Sequence, residues 1–191
     1  MRPTATLLLL ALAAWLATLA AAGTAAMAAF TALPKMGLAV AGTEDFFASD
    51  PAEMGRYAAG RMLAPVFLTA DWIQFACSAV AVGCTVRMAR LGAFAGHRAA
   101  RLALFAAVAV AALLLAFHAW RAPGMNADLL AYWQAIAAGD REAAAAAKSA
   151  FDAAHRVADG GFRATLVAVL VAIAAFPAAL VPGARHHEGT R

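Results

Sequence analysis

The chain has 191 residues, 64% of them hydrophobic and 14% charged, with a mean hydropathy of +0.74. Soluble domains carry about 45–50% apolar and about 25% charged residues, so an excess of this size, gathered into long runs, places the chain among integral membrane proteins. The net charge of +4 comes from scattered arginines rather than a basic block, which argues against nucleic acid as a partner. No Cys/His zinc spacing, glycine-rich phosphate loop or GxSxG motif is present in the sequence.

The first apolar run covers about 4–32. About 20 residues cross a bilayer core, so this run spans it with some tilt. Arg2 before a Leu-rich stretch and "AAAG" also resemble a secretory leader, but the run continues well past that point. An uncleaved helix is therefore expected.

The second span is expected at about 57–86. Its helix begins earlier, at "SDPAE", where Asp50 can cap, Pro51 takes the first helical position and Glu53 can complete a capping box. Pro65 predicts a kink. Cys77 and Cys84, the two cysteines, lie about 10 Å apart along this helix, too far for a mutual disulfide, and read as small apolar fillers.

The loop "RMARLGAFAGHRAAR" follows, short and basic through Arg87, Arg90, Arg98 and Arg101, and such loops stay cytoplasmic. The third span is expected at about 101–120 and the fourth at about 162–182, ended by "PGARHHEG". Four spans then place both termini inside, in agreement with Arg2, Arg185 and Arg191. The Ala- and Arg-rich composition points to a bacterial source, and so to the inner membrane.

Between the third and fourth spans, "NADLLAYWQAIAAG" opens at a possible Asn126 cap and closes at Gly139. "DREAAAAAKSAFDAAHRVADGG" then starts at an Asp140 cap and runs on strong helix formers. These segments predict a short extracytoplasmic helical hairpin at about 126–159, joined to the fourth span through Gly160–Gly161. Trp120, Tyr57 and Phe162 fall where an aromatic belt is expected.

Small residues recur at helical spacing: Gly161, Ala164, Ala168, Ala172, Ala175 and Ala179 in the fourth span, Ala103, Ala107 and Ala111 in the third, Ala14, Thr18, Ala22 and Ala26 in the first. Such stripes let helices approach closely in lipid. The expected fold is an all-α integral membrane four-helix bundle, one domain, with a homo-oligomer left open.

The chemistry concentrates in "LTADWIQF", 68–75. An acid at a helix centre costs roughly 2.5–3.5 kcal/mol on insertion scales, so Asp71 must face the bundle interior and find a partner or stay neutral. Asp71, Gln74, Ser78 and Thr85 form one polar stripe, with Phe67, Trp72 and Val80 on the opposite side. His118, Arg121 and Arg163 reach the same outer half from the other spans. Arg61, about 15 Å along the same helix, is a poorer partner, and His155 on the hairpin could cap the cluster from above. Three readings stay open: a buried network that sets helix register, a small-ligand, metal or haem site on Asp71 and His118 with His155 as a further candidate, and a proton-linked path through Asp71. No nucleophile–base pair can be placed, so an enzyme is not expected.

The order of "AAFTALPKMGLAVAG", "AGRMLAPVF", "APGMNADLLAYWQAIAAG" and "FDAAHRVADG" resembles the transmembrane-protein-205-like family of four-helix proteins. The resemblance rests on no catalytic residue and implies an integral membrane protein of unknown biochemical role; the sequence itself requires no cofactor.

Overall fold

A computed structural model describes residues 2–38 and 40–180. Four helices carry nearly all of it: α1, Arg2–Ala32; α2, Pro51–Arg90; α3, Arg98–Ala137; and α4, Arg141–Leu180. There is no strand among the described residues. All four helices are long and apolar enough to cross a membrane. The end of the expected fourth span and the tail with Arg185 and Arg191 lie outside the described residues.

The helices alternate in direction and pack as a ring, α1 against α2, α2 against α3, α3 against α4 and α4 against α1. The α3–α4 interface is the broadest and the α2–α3 seam the narrowest. The molecule is therefore two helical hairpins joined along thinner seams.

α3 and α4 depart from the expected breaks. Each has 40 residues, about 60 Å at 1.5 Å per residue, or roughly twice a bilayer core. Pro123, Gly124 and Asn126 all lie inside α3, and Gly160–Gly161 lie inside α4. Asn126 is thus no cap and the two glycines no joint. The 126–159 hairpin exists as the distal halves of the two long helices, turning at 138–140. A helical proline forfeits one backbone hydrogen bond and a helical glycine costs about 1 kcal/mol; packing against the neighbouring helix outweighs such local penalties. Two punctuation marks keep their expected roles. Gly139 ends α3 at φ +72°, and the Asp140 carboxylate accepts the Ala143 N–H at 2.9 Å.

α2 begins as its sequence predicts, with Pro51 in the first turn and the Glu53 N–H donating to Asp50 Oδ1 at 2.9 Å. It runs through Pro65 without interruption. Gly55 is needed there: a Cβ would collide with the backbone of Leu33–Pro34, in the single 3-10 turn that follows α1. At the opposite end, the Gly96 and His97 N–H groups donate to the Ala179 and Ala178 carbonyls, at 3.0 and 3.2 Å. The short basic loop is thereby tied to the last described turn of α4.

The buried face of α1 differs from the expected small-residue stripe. It comprises Leu8, Ala11, Leu12, Trp15, Leu19 and Ala22, while Ala14 is exposed. The large side chains fill the interior, and the small ones of α3 and α4, Ala107, Ala111, Ala168, Ala172 and Ala179, make room for them. Ala164 is exposed and Gly161 has open space beside it, so the α4 stripe starts later than its spacing suggests.

A separate cluster lies around the α3–α4 turn: Phe47, Met54, Tyr57, Tyr132, Ala135, Ile136 and Ala144. Tyr57 is therefore core rather than belt, whereas Trp120 is exposed.

Candidate functional site

Asp71 is near the middle of α2, and His118 lies across the α2–α3 seam with Nε2 3.3 Å from Asp71 Oδ2. Both side chains are partly covered, 29% and 27% exposed. One turn on, Gln74 is only 5% exposed and its Oε1 accepts the indole N–H of Trp15 from α1 at 3.3 Å. Three residues at 100° each leave Asp71 and Gln74 about 60° apart around the helix. That offset sends one side chain to α3 and the other to α1.

The expected polar stripe is thus divided. Gln74, Ser78 and Thr85 are buried in the bundle, and Asp71 sits on its rim. Thr85 Oγ1 is buried without a hydrogen-bond partner among the described residues. Cys84 is buried and Cys77 partly so, both free thiols.

The other expected members go elsewhere. Arg61 donates to the Tyr57 hydroxyl at 3.1 Å and lies over the Trp133 ring at 4.9 Å. Arg163 pairs with Asp159 at 2.8 Å along α4. His155 is exposed and stacks on Phe151 at 5.2 Å, apart from Asp71. Arg121 shares with His118 a shallow groove walled by Leu114, Phe117, Met125 and Val157, but it makes no ion pair among the described residues. Of the seven candidates, only Asp71 and His118 are joined to one another by a hydrogen bond or ion pair among the described residues.

This geometry bears on the chemistry. A carboxylate and an imidazole in contact can share a proton and can hold a small polar group beside an apolar wall. A resident metal needs more: structural sites take about four protein ligands and catalytic ones about three. No group of three His, Cys, Asp or Glu side chains converges among the described residues. The donors Asp71, His118 and His155 do not assemble, so the pair by itself is a poor fit to a metal centre.

Sequence reasoning read Glu53 as the second half of a capping box, but its carboxylate turns outward. Oε2 accepts from Arg56 Nε at 2.6 Å, Oε1 from the Tyr132 hydroxyl at 3.4 Å, and Lys148 stands 3.9 Å away while pairing with Asp152 at 2.8 Å. One acid thereby stitches α2, α3 and α4 together around their turns. Tyr132 lies beyond the expected span at 101–120. Burial first, and the Glu53 charge second, raise its hydroxyl above the ordinary phenol value of 10. The i,i+3 spacing of Glu53 and Arg56 was the one local sign of this cluster; Tyr132 and Lys148 arrive from distant sequence.

Comparison with family models, with curated proteins and with solved structures finds no match to this chain.

Proposed function

We propose that the chain is a non-enzymatic multi-pass protein of the bacterial inner membrane, with both termini cytoplasmic and the α3–α4 turn outside. Its Asp71–His118 pair latches α2 to α3 and offers the bundle's accessible polar point for a small ligand. The observation that carries this reading is the 3.3 Å contact across the narrowest seam of the ring. Where few side chains interdigitate, an interhelical polar contact of about 0.6–2 kcal/mol decides whether two helices stay in register. The orientation rests on the arginines of the 87–101 loop. The resemblance to the transmembrane-protein-205-like family supports the same class and adds no chemistry.

The test combines metal analysis and a visible spectrum of the purified protein with the variants Asp71→Asn and His118→Ala. A latch predicts metal-free, colourless protein, stability largely kept by Asp71→Asn, whose amide still hydrogen-bonds, and lowered by about 0.6–2 kcal/mol in His118→Ala. A stoichiometric metal or haem band that disappears in Asp71→Asn would replace the latch by the competing metal- or haem-handling reading. Proton movement across vesicles that stops in Asp71→Asn would replace it by a proton-coupled carrier.

A further inference from the structure

Among the described residues, the end of the bundle opposite the α3–α4 turn carries charge of one sign. From Trp72 to Asn126, from Ala164 to Leu180 and before Glu44, the described chain has no acidic residue. Arg2, Arg87, Arg90, Arg98 and Arg101 all lie in those stretches, and none forms an ion pair among the described residues. At the other end Glu53 and Asp152 pair with Arg56 and Lys148, whereas no acidic partner meets these arginines among the described residues.

A groove of about 260 Å³ opens there between the end of α2, the loop and the start of α3. Arg98 and Arg101 line its rim, and Phe94, Leu102 and Phe105 its wall. The Arg101 guanidinium is held by donating to the Phe94 carbonyl at 3.1 Å, and the Phe94 and Phe105 rings pack edge to face at 5.2 Å. Residues 98, 101, 102 and 105 follow the i, i+3, i+4, i+7 pattern of one helix face. Cationic head and apolar wall are thus stacked in order along α3, the arginines at the chain's entry to the apolar stretch and the wall about one turn, or about 6 Å, deeper.

We propose that this groove seats an anionic phospholipid, its phosphodiester on Arg98 and Arg101 and an acyl chain along Leu102 and Phe105. The volume suits a headgroup rather than a whole drug-sized ligand, which needs about 300–1,000 Å³. Guanidinium offers the bidentate fit to phosphate, and basic pockets at helix ends recognise anionic headgroups. Exposed Leu102 gives the ligand an apolar continuation that free phosphate cannot use. The inference rests on the chain lying in a membrane, and is independent of the role of Asp71 and of which side the arginines face.

Native mass spectrometry of the full-length protein in detergent, titrated with phosphatidylglycerol or phosphatidylcholine, tests it. The expected result is preferential retention of phosphatidylglycerol, weakened roughly fivefold by Arg98→Gln and by a similar further factor in the Arg98→Gln/Arg101→Gln double variant. Arg156→Gln, at the other end, should change nothing. The Arg98 side chain makes no hydrogen bond among the described residues, so its single variant stays informative if loss of Arg101 loosens the loop. Equal retention of the two lipids, undiminished retention in folded Arg98→Gln, or displacement of phosphatidylglycerol by equimolar inorganic phosphate would overturn the proposal. The last result would assign the site to free phosphate. Failure of the latch would appear separately, in the stability and metal content of the Asp71→Asn and His118→Ala variants, with the lipid profile unchanged.

Discussion

One turn of α2 holds two polar side chains with opposite circumstances. Gln74 is enclosed, neutral and bonded to the equally buried Trp15, whereas Asp71 sits on the rim, ionisable, bonded to a half-covered His118. A buried amide bonded to an indole needs no counter-charge, so it tolerates the interior; a carboxylate there would carry a large desolvation cost. The contrast assigns different work to the two contacts. Trp15–Gln74 belongs to the packed core of the α1–α2 hairpin, and Asp71–His118 bridges two hairpins that otherwise meet along a thin seam.

Breaking the buried contact should cost most. Trp15→Ala empties the centre of the bundle, where the ring is 0% exposed, and should destabilise by about 3–5 kcal/mol in a thermal or denaturant titration in detergent. A loss under about 1 kcal/mol would show that the α1–α2 hairpin does not depend on its interior. Gln74→Leu keeps volume but strands the indole N–H, at a cost of about 1–3 kcal/mol. Were that variant neutral, the Trp15–Gln74 hydrogen bond would be incidental to packing.

The rim contact should be weaker and conditional. His118→Ala should lose about 0.6–2 kcal/mol, and Asp71→Asn less. A double-mutant cycle sharpens the distinction: the Trp15–Gln74 coupling should stay constant between about pH 5 and pH 8, while the Asp71–His118 coupling changes with imidazole charge. Identical pH behaviour of the two couplings would mean that imidazole charge has no part in the rim contact.

The smallest effect is expected at Tyr132. Because burial and Glu53 raise its hydroxyl above 10, the neutral phenol's contribution is whole below that pH. It declines as the pH climbs above it, where the unfolded chain ionises first. Tyr132→Phe should therefore change little at neutral pH and flatten the alkaline loss of stability, read from melting temperatures on either side of pH 10. An alkaline profile identical to wild type would place the sensitivity elsewhere.

Much of the fold follows from local chemistry. The apolar runs are longer than a bilayer core is thick, Asp50–Pro51 and Asp140 begin helices because a carboxylate there meets an open N–H, and Gly139 ends one because it accepts positive φ. The polarity of the Gln74 side of α2 was legible for the same reason: helical period alone puts Gln74, Ser78 and Thr85 together. The approach of Asp71 and His118 was visible as a possibility of topology, although the helix faces that permit it depend on how α2 and α3 rotate against each other.

What the sequence by itself determined is the four apolar runs and the helix boundaries at Asp50–Pro51, Gly139 and Asp140, since these depend on hydrophobic run length and on residues within a few positions of each end. Tertiary structure alone decided that α3 and α4 continue through Pro123 and Gly160–Gly161, that α1 buries its Leu–Trp face, and that Gln74 and Asp71 turn to different neighbours. In each case two local options differ by only about 1–3 kcal/mol. Contacts along an adjoining helix, brought there from far away in sequence, are large enough to choose between them.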